Sequence, residues 1–454
     1  MKKEMKKIIY EIRRTDRKKK NKKDIEPKIK LQNYAKKICG IIKGYENMYS
    51  FIEPMGVEGR SFNEEIDFYL IDRKNGGCYS PNFIYPKLHS INSKKLKKKI
   101  IELQRIEQKV TKEKNKNLKK IILKTIYIIK AKINILIELK NRSTKEAFKY
   151  AKIAYGDIDD DLVRKAKNHY NEKIKFLKKK RKSKVELILE KKEFCAKDIK
   201  FYFDLALNKV NLTKKVKVII KKNVKNISYC QDSFYNSNVI VIPTDRKVNG
   251  VKLFELMAHE IGVHALVNIL SAESEFCGLN FGRDSEAIQE GFALRNEIEI
   301  KKKILGSLYS DTEIKSKPYA ILAMKKIKEG SKVGEVYDYI FDLRKKEYLA
   351  EGYNELESGE KSSKTTKDVL RRVYRGFYPY YFPKDKIYFE GEFLAKKIEE
   401  EKKDIYFLQS KINLHLLSDM IKIGLYPNSI DVVKNINKTR EVAKIMWEEH
   451  NLLK

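Results

Sequence analysis

Apolar residues recur at helical spacing through most of the first half of the chain. Leu96, Ile100, Ile101, Leu103 and Ile106 form one run; Leu118, Ile121, Ile122, Ile126 and Ile129 form a second. With a break near Asn115-Lys116-Asn117, they predict a pair of long helices within Ser93–Lys140. Other helices are predicted over Leu31–Ile52 and, with a heavily charged outer face, over Asp161–Lys192. Asn75-Gly76-Gly77 marks a turn, and Pro81 and Pro86 mark an extended loop. The pattern changes after Cys195. Val216–Ile220 and Asn238–Ile242 are β-branched runs of strand length, the second closed by Pro243 and Asp245. A helix then begins near Asn249-Gly250 and carries Leu253, Leu256, Met257, His259, Glu260 and His264. The next begins at Asp284 or Ser285, either of which can cap it. Helices fill the remainder, interrupted by an aromatic loop over Gly376–Pro383. The predicted fold is therefore α+β and predominantly helical.

At 454 residues the chain is too long for one ordinary core. The changes of pattern divide it into a basic, mobile or loosely helical leader (1–30), a helical region (31–194), a catalytic domain with a small sheet (195–400), and C-terminal helices packed on that domain (401–454). The formal net charge of +37 fits an anionic partner, whether nucleic acid, membrane surface or acidic protein segment. However, the basic runs at Lys18–Lys20, Lys97–Lys99, Lys178–Arg181 and Lys301–Lys303 are spread along the chain rather than gathered in one stripe. That favours compositional bias and argues against a specific nucleic-acid footprint. Five scattered cysteines with no Cys-x-x-Cys pair predict neither a disulfide framework nor a cysteine-rich zinc knuckle, and fit a reducing cytoplasm. The start Met-Lys-Lys-Glu lacks a following apolar segment, so no signal peptide is expected. Lys130 and Lys132 interrupt the most apolar stretch, Ile126–Leu139, so no transmembrane helix is expected.

The sharpest chemical signal is His259-Glu260-Ile261-Gly262-Val263-His264. A His-Glu pair followed by a second His is the core of many zinc hydrolases. Imidazole suits zinc, three protein ligands leave a position for water, and an adjacent carboxylate can act as general base. Here that base is Glu260. The common motif places the histidines four apart, about 40° around a helix; five apart leaves about 140°. Two ligands at that angle cannot face one ion, so the helix must widen, and a π-type turn eased by Gly262 would restore convergence. The following helix offers Glu286 and Glu290 on one face as a third ligand, and spacing alone does not choose between them.

Together with Gln289-Glu290-Gly291-Phe292-Ala293, the histidine motif resembles the signature of the QEGLA-motif family, named for modulating flavohaemoglobin expression and related to the microtubule-associated tyrosine carboxypeptidases. Phe292 stands where that family usually has leucine. Val239–Ile242, Pro243 and Arg246 are similar to the family's segment before the active helix, as are Arg372–Gly376 and Lys384–Gly391 to its later blocks. Tyr79–Phe83 and Ala154–Gly156 resemble N-terminal segments, so the likeness spans about residues 31 to 400. It implies a zincin-like catalytic domain holding one Zn2+ on His259, His264 and Glu290. It also implies a carboxypeptidase removing a C-terminal residue, tyrosine or phenylalanine, from a peptide or protein tail; the basic charge suits an acidic tail.

A terminal carboxylate calls for a cation, ideally a bidentate arginine. Arg371, Arg372, Arg375 and Arg283 are candidates, with Lys384 a poorer one, and Tyr378, Tyr380, Tyr381 and Phe382 could line an aromatic pocket. Tyr388 is a candidate donor to the oxyanion. Val239–Ile242, with Val241 at its heart, is expected as an edge strand to which substrate backbone adds. Two other classes stay open: a basic nucleic-acid- or membrane-surface-binding protein with a structural or relict zinc site, and a zinc hydrolase acting on something other than a peptide.

Overall fold

The computed structural model describes residues 22–42, 53–86, 88, 91–179, 184–222, 224, 226–232, 237–273, 283–305, 318–401, 407 and 414–423. The predicted pair of helices is present as Ser93–Val110 and Lys116–Lys140. Their start sites are chemical: the Asn92 and Asn115 side chains accept the backbone N–H groups of Lys95 and Leu118, both at 3.0 Å. Lys116–Lys140 is apolar nearly all round and is accordingly the central helix of its core. Of the seven lysines on this helix, Lys132 is the buried one.

The helix predicted from Leu31 already begins at Lys22 and is described to Ile42. A boundary at residue 30 therefore falls inside a helix; residues 1–21 lie outside the described residues. The single helix expected over Asp161–Lys192 is two, Asp160–Lys179 and Lys184–Lys191. Of the C-terminal segment expected as helices, Leu414–Lys422 is helical and residues 424–454 lie outside the described residues.

The described strands are short. Two ribbons pair β1 (Met55–Gly56) with β2 (Phe83–Ile84), and β3 (Glu193–Phe194) with β7 (Val248–Asn249). The third sheet has β4 (Val216–Lys221) parallel and β5 (Ser228–Asp232) antiparallel to β6 (Ser237–Pro243), in the order β4-β6-β5. This corrects one expectation. Val241 is no edge residue: β6 is the central strand, and Val241 lies between Ile219 on one side and Ser228 on the other. Over Asn238–Val241 both edges of β6 are paired, so that stretch is closed to a substrate strand. The unbroken run Val239–Ile242, all four residues buried, is that of a strand covered on both faces, as a central strand of this sheet is.

Among the described residues, three apolar clusters make up the core. The first unites the N-terminal helices with Val263, Val267, Ile288, Phe292 and Ile398. The second packs β4 and β6 against the helix Ala196–Lys209 and against Leu253, Met257, Ile261 and Ile269. The third gathers the helices Phe62–Lys74, Asp160–Lys179, Tyr319–Lys328, Val333–Ala350 and Glu355–Val373 with Phe389. The helix of the two histidines thus buries one face in the first cluster and the other in the second. By length and composition Gly250–Ser271 could cross a membrane, yet 78% of its apolar window is buried inside the protein, as a core helix requires.

Candidate active site

The histidine helix starts at Gly250, where the Asn249 side chain caps it by accepting Lys252 N–H at 2.8 Å. It runs as an α-helix to His259, widens to a π-helix over Glu260–Ala265, and resumes over Leu266–Glu273. This is the distortion that the five-residue spacing demands. One extra residue in the turn brings His264 back over His259, and their Nε2 atoms lie 2.9 Å apart. Glu290 comes from the next described helix, Arg283–Leu305. Its two carboxylate oxygens stand 3.6 Å from His259 Nε2 and 3.7 Å from His264 Nε2.

Separations of 2.9, 3.6 and 3.7 Å bracket the ~3.3 Å between neighbouring donors around a tetrahedral ion with bonds of about 2.0–2.1 Å. The electrostatics agree. Burial works to lower the His259 pKa, yet the Glu290 and Glu297 carboxylates outweigh it and push it up to about 10. Burial works to raise the Glu290 pKa, yet His264 and His259 hold it well below the usual carboxylate range. The pocket is built around a positive charge, and an imidazole–imidazole–carboxylate set accepts a metal cation in place of a proton.

Glu260 is buried, and its Oε2 accepts the backbone N–H of Tyr229 on β5 at 2.8 Å. The sheet edge next to the site is therefore β5, and one of its N–H groups already holds the candidate base.

Tyr388 and Arg372 approach from a third side. Tyr388 lies on the helix Lys386–Glu400, and the negative charge of Glu290, followed by burial, raises its phenol pKa. The Arg372 guanidinium sits 5.0 Å from the Tyr388 ring centre and is gripped by Asp385, with Nε–Oδ2 at 2.8 Å and Nη2–Oδ1 at 3.0 Å. The other two arginines point elsewhere: Arg371 Nη1 is 3.2 Å and Arg375 Nη2 3.6 Å from Glu53. One turn apart on the chain, they share a face that Arg372 does not. Lys384 Nζ stands 3.6 Å from Glu286, whose other oxygen takes Lys132 Nζ at 2.6 Å. Glu286 is thus occupied by lysines, while Glu290 faces the histidines. The side chain of Arg283 lies outside the described residues.

The aromatic loop is used in packing. Phe382 stacks on Phe377 at 4.8 Å, Tyr380 stacks on Phe148 at 5.0 Å, Tyr378 meets Phe83 edge-on, and the Tyr381 hydroxyl bonds Asp157. Each of the four rings is thus engaged by a packing or hydrogen-bond partner.

Sequence reading missed three features. Gly291 and Gly391 face each other where the glutamate helix crosses Lys386–Glu400: a Cβ on Gly291 would meet the Gly391 carbonyl oxygen at 1.9 Å. Glycine inside a helix was the available signal for so close an approach. Glu297 accepts from His259 Nδ1 at 2.7 Å, and Asn296 Nδ2 donates to the Ala258 carbonyl at 2.9 Å. Glu297 sits seven positions after Glu290, on the same helical face, which is the pattern that could have found it.

Two histidines and a glutamate brought together by a widened helix, with a buried glutamate beside them, fit a peptidase of the carboxypeptidase type. The comparison with protein families agrees: the model of the microtubule-associated tyrosine carboxypeptidases matches residues 73–405, and the chain belongs to that family. No curated protein and no solved structure matches it.

Proposed function

We propose that the protein is a zinc-dependent metallocarboxypeptidase with a zincin-like active site. The observation that carries this reading is the convergence of His259, His264 and Glu290 across a π-helical turn whose first residue is Glu260. Zn2+ bound there would polarise a water molecule and bring its pKa to about 7. Tyr229 N–H fixes Glu260 Oε2, leaving Oε1 to take the water's proton and pass it to the leaving amine. Tyr388, on the helix Lys386–Glu400, donates its phenolic hydrogen to the developing oxyanion. Arg372, held by Asp385 through Nε and Nη2, offers its Nη1 side to the substrate's C-terminal carboxylate.

The family's description makes a terminal tyrosine on a protein tail the first substrate to try. The charge of +37 supports a preference for acidic tails that weakens with salt. The scattered spacing of the five cysteines, with no Cys-x-x-Cys pair, supports a reducing, cytoplasmic setting.

A basic surface-binding protein with a relict metal site gains nothing from a buried, oriented Glu260. The Glu260→Gln variant separates the readings: it should keep its zinc and lose hydrolysis of a tyrosine-ending peptide. Equal cleavage of that peptide and its C-terminal amide would count against a carboxypeptidase and for an endopeptidase.

A further inference from the structure

The glutamate helix does more than supply Glu290. Two turns further on, its consecutive residues Asn296 and Glu297 reach back to the histidine helix. Both are buried. Glu297 Oε1 lies 2.7 Å from His259 Nδ1, and Asn296 Nδ2 donates at 2.9 Å to the carbonyl of Ala258, the residue just before His259. A carboxylate at Nδ1 accepts its hydrogen, so in the neutral imidazole that a metal requires the lone pair is left on Nε2. Nε2 is the atom that faces His264 and Glu290. A π turn disrupts the regular i→i+4 ladder, and the amide of Asn296 anchors the backbone where that disruption starts. The Lys252 ammonium, on the first turn of the histidine helix, keeps its proton against burial through Glu255 and Glu297.

We propose that Asn296 and Glu297 are positioning residues for the metal site: Glu297 sets the tautomer and ring orientation of His259, and Asn296 holds the widened turn in register. The two act through the ligands and touch neither substrate nor metal. The proposal rests on the zinc reading given above.

The test uses the full-length chain and Zn2+ itself. Zinc affinity is measured by chelator competition for wild type, Glu297→Gln, Glu297→Ala and Asn296→Ala, alongside thermal melting of each metal-free protein. A carboxylate behind a histidine ligand is worth about 10–100-fold in metal affinity. Glu297→Ala should lose that much. Glu297→Gln, whose amide oxygen still accepts from Nδ1–H, should recover part of the loss. Asn296→Ala should weaken zinc by about three- to ten-fold, since it loosens the turn while leaving the imidazole its acceptor. The Co2+-substituted Glu297→Ala protein should also show an altered d–d absorption band, which a purely structural role would leave unchanged. Wild-type affinity in both Glu297 variants, or a melting loss with affinity and spectrum unchanged, overturns the proposal and leaves the zinc reading standing. A wild-type protein that binds no zinc while correctly folded removes both.

Discussion

The crossing of the glutamate helix over Lys386–Glu400 yields the most discriminating prediction, through Gly391→Ala. A Cβ placed on Gly391 would stand 1.8 Å from the Ala287 carbonyl oxygen, 2.6 Å from its carbon and 3.2 Å from its Cα. All three are backbone atoms, so no side chain can swing aside. Non-bonded heavy atoms need about 3.5 Å, so the helices have to part locally by about 1.7 Å. Overpacking of this kind costs about 1–3 kcal/mol, offset by ~1 kcal/mol from alanine's better helix propensity. Net destabilisation should therefore be modest, about 0–2 kcal/mol. Activity should suffer far more. Tyr388 lies one turn before Gly391 and Glu290 one turn after Ala287, so the displacement passes directly into the gap between the phenol and the metal ligands. A misplacement of about 1 Å in a reacting assembly costs roughly a hundred-fold. Steady-state hydrolysis of a tyrosine-ending peptide should show kcat/KM falling about a hundred-fold, with kcat carrying most of it. Zinc content should fall less than activity, since His259 and His264 stand on a helix that the clash does not touch and only Glu290 shares one with Ala287. Near-wild-type kcat/KM would refute the close crossing as the device that positions Tyr388. Loss of zinc in step with activity would show that the crossing supports the ligands instead.

Three further outcomes follow from the site. Arg372→Ala should lower kcat/KM for a free C-terminal peptide by about ten- to a hundred-fold, the worth of a charge-assisted contact; Arg371→Ala, whose partner is Glu53, should stay close to wild type. Equal losses in the two would defeat the assignment of the clamp. With the His259 pKa pushed up to about 10, the metal-free site carries a proton at neutral pH, so zinc binding should release about one proton there. The sign follows: affinity weakens about tenfold for each unit the pH falls below 10, and calorimetry in two buffers of different ionisation enthalpy reads the proton directly. Finally, His264→Ala should lose zinc outright, and retention of stoichiometric metal in that variant would exclude His264 as a ligand.

Much of the local structure was legible in the sequence because its causes are local. Apolar spacing locates the helices, since the 3.6-residue period involves residues within a few positions of each other; the N-cap bonds of Asn92, Asn115 and Asn249 that the structure adds are equally local. The π turn over Glu260–Ala265 was deducible for the same reason: five residues between two histidines that must face one point leave a regular helix no solution. What the tertiary structure alone decided depends on partners far away in the chain. Whether β6 is central or at an edge turns on β4 and β5, and only their pairing removes Val241 from the substrate path. Arg371, Arg372 and Arg375 are alike in sequence; their partners, Glu53 for the first and third and Asp385 for the second, tell them apart. Glu286 and Glu290 share a helical face, and Lys132, brought from the N-terminal core, claims the first and leaves the second to the histidines. Gly291, Gly391, Asn296 and Glu297 gain their roles only from a helix crossing, because a close approach between two backbones is a property of neither segment by itself.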